Sequence, residues 1–195
     1  MSNALYKKYF ELIANDSQNK DYSKKGYQPL FSCSKTAKIV IIGQAPGMKA
    51  QEKNKVWDDK SGEKLINWLG ITFDQLRNDR IISLLPMDFY YPGKGKTGDL
   101  PPRKGFAEKW HVKILDEMKQ VELIILIGKY AQGFYLVENK NKNLTETVIN
   151  YKTFLPKFFP IVHPSPLNFR WLGKNKWFEE KVIPDLKKRV KKILK

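Results

Sequence analysis

The sequence predicts a three-layer α/β/α domain built on a central four-stranded parallel sheet, and two observations carry the prediction. Four short apolar runs, at 38–42, 80–85, 122–127 and 159–162, are rich in isoleucine, leucine and valine without polar alternation, which is the pattern of strands buried on both faces. Between them lie segments whose apolar residues recur at helical spacing, so strand and helix alternate along the chain. The 195 residues suffice for a full hydrophobic core, and the chain reads as one domain over 1–195.

Taken in order, the chain opens with a short amphipathic stretch at 5–13 and passes into a polar loop at 15–28. The first apolar run, 38–42, is followed by a helix predicted from Leu65, Ile66 and Leu69 after a Ser61-Gly62 start. After the second run comes a long segment, 90–104, dense in glycine, proline, lysine and tyrosine. Phe106, Trp110, Ile114, Leu115 and Met118 predict the next helix, and 130–137 a shorter one beyond the third run. The last segment, 175–195, sets Trp177, Phe178, Val182, Ile183, Leu186, Val190 and Ile193 among eight lysines and arginines. It reads as an amphipathic helix kinked or interrupted at Pro184, packed on the domain.

Thirty-six lysines and arginines against 20 acids give a formal net charge of +16 and a pI near 9.7. Such a surplus points to a polyanionic partner, although basic surfaces also occur on proteins that touch membranes or ribosomes. Cys33 is the only cysteine, which excludes an internal disulfide and a four-cysteine metal or iron-sulfur site within one chain. A reducing cytoplasm fits. No apolar stretch approaches the roughly 18 residues that span a bilayer, and 1–8 leads into acidic and polar residues instead of a signal-peptide core.

In an open parallel sheet, ligands bind beyond the carboxyl ends of the strands, and the chemically suggestive loops of this chain all lie there. Gly43-Gln44-Ala45-Pro46-Gly47 follows the first run, with small residues and a proline that let backbone approach a planar ligand closely. His163-Pro164-Ser165-Pro166-Leu167 follows the fourth, placing a histidine, a hydroxyl and an apolar side chain within five residues. The loop at 90–104 could track a nucleic-acid strand, with Lys94 and Lys96 on phosphates and tyrosines as stacking faces, or be a solvated flexible loop. It does not match a Walker phosphate loop. Outside those motifs, His111 beside Trp110 reads as structural or surface, and Asp88 as a solvated loop acid or a substitute base.

On these two motifs, in this order and about 120 residues apart, the chain resembles the uracil-DNA glycosylase superfamily over roughly 38–186, and most closely its bacterial and archaeal iron-sulfur branch. The first motif of that branch is Gly-Glu-Ala-Pro-Gly, matched with Gln44 in place of the glutamate; the second is identical to the vertebrate-type leucine loop. The resemblance implies an enzyme that flips a damaged or deaminated base, uracil or a relative, out of DNA and hydrolyses its N-glycosidic bond. It implies base contacts from Gly43, Ala45, Pro46 and Gly47. Trp57, 14 residues after Gly43 where that branch has its stacking phenylalanine, becomes the base-stacking ring, although alone it would read as a core aromatic. It makes His163 the donor to a base carbonyl, Leu167 the wedge that fills the vacated stack, and Ser165 and Arg170 phosphate contacts.

The chain also departs from the pattern. The vertebrate-type aspartate position is Ala45, and the iron-sulfur-branch glutamate position is Gln44, whose amide can orient water but cannot accept its proton. The family's base-reading asparagine falls at Ser83, and the cluster cysteines are absent. No metal or organic cofactor is implied, and the expected partner of this monomer is DNA, single- or double-stranded. A catalytically weak or inactive DNA- or nucleobase-binding member of the superfamily is the alternative.

Overall fold

Residues 39–42 are isoleucine or valine at every position, with no polar face to turn outward, and the chain buries all four in the middle of a sheet. The computed structural model describes residues 3–137 and 143–195. In chain order its strands are β1 (Ile39–Ile42), β2 (Ile82–Leu84), a small hairpin of β3 (Lys94–Gly95) and β4 (Gly98–Asp99), then β5 (Leu123–Ile127) and β6 (Phe158–Ile161). The main sheet has the order β2-β1-β5-β6 and is parallel throughout, with Ile39 level with Ile82 on one side and Leu123 on the other. All four predicted runs form it. Pro160, which has no N–H to donate, sits in β6 at the sheet edge, where a proline is tolerated.

Alternate residues of each strand feed two separate cores. Val40, Ile42, Ile124 and Leu126 pack with α1 (Ala4–Ala14), α6 (Phe106–Glu117) and α7 (Gly128–Tyr135). Ile39, Ile41, Ile125, Ile127 and Phe159 pack with α4 (Lys60–Leu69), α5 (Phe73–Arg77), α8 (Leu144–Ile149) and α10 (Ile183–Ile193). This is the three-layer arrangement, and it explains why the strands lack alternation: neither face meets water. Buried Leu5, Tyr9 and Ile13 form the inner stripe of α1. Cys33 is fully buried, and burial pushes its thiol up to about 12, so it behaves as a small apolar side chain. Among the described residues no helix is long and apolar enough to cross a membrane.

Two elements differ from expectation. The stretch 15–28 is not a loop throughout: a 3₁₀ turn at Ser17–Asn19 is capped by Asp16, which accepts from Gln18 N–H, and leads into α2 (Lys20–Lys24). The ordering force is tertiary, because Tyr22 stacks on the buried Tyr90 ring at 4.5 Å. At the C-terminus Pro184 does not break the helix. A π-helical turn, Phe178–Val182, runs directly into α10 and leaves Pro184 in the first turn of α10, where a missing N–H costs least.

Candidate functional site

Beyond the carboxyl ends of β1, β2 and β6 lies a cleft of about 710 Å³ whose walls include the glycine-proline loop, Trp57, the hairpin and the histidine loop. The glycine-proline loop is held by the chain that leaves β2, since Met87 N–H donates to Gly43 O (2.8 Å) and Asp88 N–H to Gln44 O (3.1 Å). Gly47 then begins α3 (Met48–Lys53), whose buried Gln51 takes a hydrogen bond from Tyr91 N–H (2.9 Å) and gives one to Gln28 O (2.9 Å). Of the sequence-predicted site residues, Gly43, Gln44, Ala45, Pro46, Gly47, Trp57, His163 and Ser165 all line this one cleft.

Trp57 adopts φ +56°, a left-handed conformation that a bulky residue takes only under constraint and that costs on the order of 1–3 kcal/mol. The constraint is visible on both sides. A Cβ on Gly62 would lie 2.6 Å from the Trp57 carbonyl carbon and closer still to its oxygen, so only glycine lets the start of α4 pass this backbone. A Cβ on Gly43 would lie 3.4 Å from the indole ring. The indole stacks on the His163 imidazole with ring centroids 5.5 Å apart and planes at 30°. An inserted base needs about 7 Å between flanking rings, two contact distances, so as the two rings stand no base fits between them. The two rings form one wall.

The histidine loop is built by its own polar atoms. Ser165 N–H donates to His163 Nδ1 (3.1 Å), Leu167 N–H donates to Ser165 Oγ (3.2 Å), and the Asn168 amide closes the turn on His163 O (2.7 Å). Burial lowers the His163 pKa below its ordinary value, with the Asp59 carboxylate pulling the other way. A neutral imidazole whose Nδ1 accepts must carry its proton on Nε2, leaving Nε2–H as the ring's one donor. Leu167 is 84% exposed at the tip of the loop, and Arg170 is exposed in α9 (Phe169–Lys174) beside the Phe169 ring.

The segment 90–104 folds into a short hairpin tied to its neighbours by hydrogen bonds. Lys94 and Asp99 pair across the β3–β4 hairpin, Leu100 N–H donates to Gly93 O (2.9 Å), and Gln44 Nε2 donates to Leu100 O (3.0 Å). Lys94 and Lys96 are exposed on this hairpin, while Thr97 and Asp99 line the cleft. Asp88 and Arg103 pin its two ends. The Asp88 side chain is fully buried, where it receives Arg103 Nε at 2.7 Å and the other guanidinium arm at 2.8 Å. Asp88 is therefore neither a solvated acid nor a substitute base; an acid this deep survives only because it is paired.

Ser83 also needs correction. It stands in mid-strand in β2, fully buried, with its hydroxyl donated to Asp79 O (3.2 Å), and it is not a wall of the cleft; Leu84 and Pro86 are the residues from this part of the chain that reach it. His111 is structural. Its Nε2 bonds to Pro86 O (3.0 Å) and its Nδ1 to the Tyr135 hydroxyl (2.7 Å), bracing the cleft wall from behind, and burial lowers its pKa to about 4. Sequence reasoning missed Asp59, Thr97, Asp99, Lys129 and Tyr130 in the walls. Asp59 carried a usable signal as the cap residue before Ser61-Gly62, whereas nothing local marked Asp99.

Among solved structures the chain is similar to a solution NMR structure from Methanosarcina acetivorans, provisionally named a uracil DNA glycosylase, at 14% identity and a TM-score of 0.46 over 79% of this chain and 93% of that one. Residues 31–187, which carry the whole parallel sheet and every wall of the cleft, match the family model of the Uracil DNA glycosylase superfamily. With that match spanning most of the chain, the protein belongs to the uracil DNA glycosylase superfamily.

Proposed function

We propose that this protein is a DNA N-glycosylase that takes a damaged or deaminated base, uracil or a relative, out of the strand and hydrolyses its N-glycosidic bond to leave an abasic site. The observation that carries the reading is the state of His163. Burial keeps the imidazole neutral, Ser165 N–H occupies Nδ1, and Nε2–H remains as a donor in the wall of a cleft that also presents the Trp57 ring. Such a donor stabilises a base carbonyl oxygen as negative charge develops on the departing base. In this reading Trp57 offers its face to the base and the Gly43–Gly47 backbone approaches it edge-on. Leu167, exposed at the loop tip, enters the vacated stack. Ser165, Arg170, Lys94 and Lys96 meet phosphates, in keeping with the net charge of +16. Glycosylase-like members of this superfamily act on DNA, and the partner proposed here is DNA.

Gln44 favours a second reading. Its amide cannot take a proton from water and already donates to Leu100 O, so a DNA-binding protein with little or no turnover would carry this residue at no loss. Single-turnover incubation of excess protein with labelled oligonucleotides containing uracil, hypoxanthine or xanthine, single- and double-stranded, followed by alkaline cleavage, separates the two. Abasic product identifies a glycosylase and its base; intact DNA with retained lesion binding identifies the binding protein. In the first case His163→Ala should lower the base-release rate about 100-fold or more while DNA affinity changes less than threefold. Equal losses in both would remove His163 from its assigned role.

A further inference from the structure

Resting on the glycosylase reading above, we infer that Asp99, on the β3–β4 hairpin, is the proton acceptor that activates water in this cleft. General-base help to hydrolysis takes a group that accepts a proton from water, and the titratable side chains in the cleft walls are Lys49, Asp59, Asp99, Lys129, Tyr130 and His163. His163 is disqualified because Nδ1 already accepts from Ser165 N–H and Nε2 carries the ring proton. Lys49, Lys129 and Tyr130 offer N–H and O–H donors. Asp59 Oδ1 is engaged with Gly62 N–H (3.0 Å) as the cap of α4, and this carboxylate acts on His163 from the imidazole side.

Asp99 caps no helix. Its Oδ1 receives a single long hydrogen bond from the Tyr91 hydroxyl (3.3 Å), and no donor among the described residues takes Oδ2. That oxygen lies 4.0 Å from where a Cβ on Gly47 would stand, beside the glycine-proline loop. Leu100, the next residue, has its carbonyl held by Gln44 Nε2, so the neutral amide in the loop fixes the place of an acid that comes from elsewhere in the chain. Asp88 and Arg103 hold the ends of the same segment. An acid fixed by three ties, with one oxygen free and facing the cleft, is built to accept a proton.

The step balances as a hydrolysis. A water oxygen forms a bond to the anomeric carbon while the carbon–nitrogen bond breaks and its electron pair leaves on the base. The water proton passes to Asp99 Oδ2, His163 Nε2–H stabilises the departing anion, and that anion then takes up a proton from solvent to leave as the neutral base while Asp99 returns its proton to solvent. General-base help of this kind is typically worth about 10²- to 10⁴-fold.

The test compares single-turnover base release by wild type, D99N and Y91F on whichever oligonucleotide the wild type cleaves, with DNA affinity and thermal unfolding measured on each. Asp99 is exposed on a surface hairpin, so D99N should fold. The expected result is a rate at least 100-fold lower for D99N with DNA affinity within threefold of wild type, and a loss below tenfold for Y91F. A D99N loss smaller than tenfold overturns the assignment and leaves the glycosylase reading standing. A Y91F loss as large as that of D99N overturns it too, because hairpin order and not proton acceptance would then be what matters. A wild type that cleaves none of the oligonucleotides removes the glycosylase reading itself, and the inference falls with it.

Discussion

At the scale of single residues, Gly62 and Trp57 form one unit in which each explains the other. The left-handed Trp57 backbone turns its carbonyl into the space that any side chain at 62 would need, and the same turn lays the indole over Gly43 and against His163. Gly62→Ala is therefore expected to destabilise the protein by about 2–3 kcal/mol, the usual cost of overpacking, and to shift the indole; urea unfolding and tryptophan fluorescence check the two effects. The Ser61-Gly62 pair and the distance from Gly43 to Trp57 were legible in the sequence because they are local spacings. Ser83 and Asp88 were misread for the opposite reason: burial, a carbonyl 4 residues back and an arginine 15 residues on decide their roles.

At the scale of elements, the β3–β4 hairpin shows how a glycine- and lysine-rich segment becomes ordered without a core of its own. The Asp88–Arg103 pair closes it at the base, and the Arg103 guanidinium also lies over the Tyr22 and Phe106 rings at 4.7 and 4.6 Å and donates to Asn19 (2.8 Å). Removing one member of a buried pair strands the other, at a cost of about 3–5 kcal/mol. Asp88→Asn should lose stability on that scale in urea titrations, and limited proteolysis should cut first between 93 and 100. The main strands and the long helices were predictable from periodicity. The short helices α5 and α8 were not, although each carries a capping box, Thr72 with Gln75 and Asn143 with Glu146, that a search for caps would have found.

At the scale of the whole molecule, one of the two cores holds a buried histidine bonded to Pro86 and Tyr135, and this makes stability depend on pH. The folded-state pKa of His111 is lowered by burial to about 4 from an ordinary value of 6.5. Below pH 6.5 the unfolded chain therefore binds a proton that the folded chain refuses. The contribution of His111 is complete above pH 6.5 and is lost progressively as pH falls towards 4, about 3 kcal/mol across the interval. His163, lowered in the same direction, adds to the loss. Glu117 acts only at lower pH, because hydrogen bonds from Lys8 and Tyr9 hold its carboxyl below the usual value. Urea midpoints at pH 7 and pH 4.5 should show the decline in wild type and a smaller one in His111→Asn; equal declines in both would assign the acid sensitivity elsewhere.

The sequence by itself determined the three-layer fold, the four strands, the family and both motif loops, because each depends on residue type and spacing over a few positions: unbroken apolar runs, helical periodicity, glycines and a proline where backbone must come close. Only the tertiary structure decided which side chains share the cleft. Asp99 arrives there 55 residues after Gln44 along the chain, carried by a hairpin that a buried ion pair closes and the Gln44 amide holds. Tertiary contact likewise stacks Trp57 on His163, lets the Ser165 N–H set the proton of that imidazole, and withdraws Asp88 and Ser83 into the interior. Hydrogen bonds and burial between residues distant in sequence have no local pattern to announce them, so they enter only when the chain is folded.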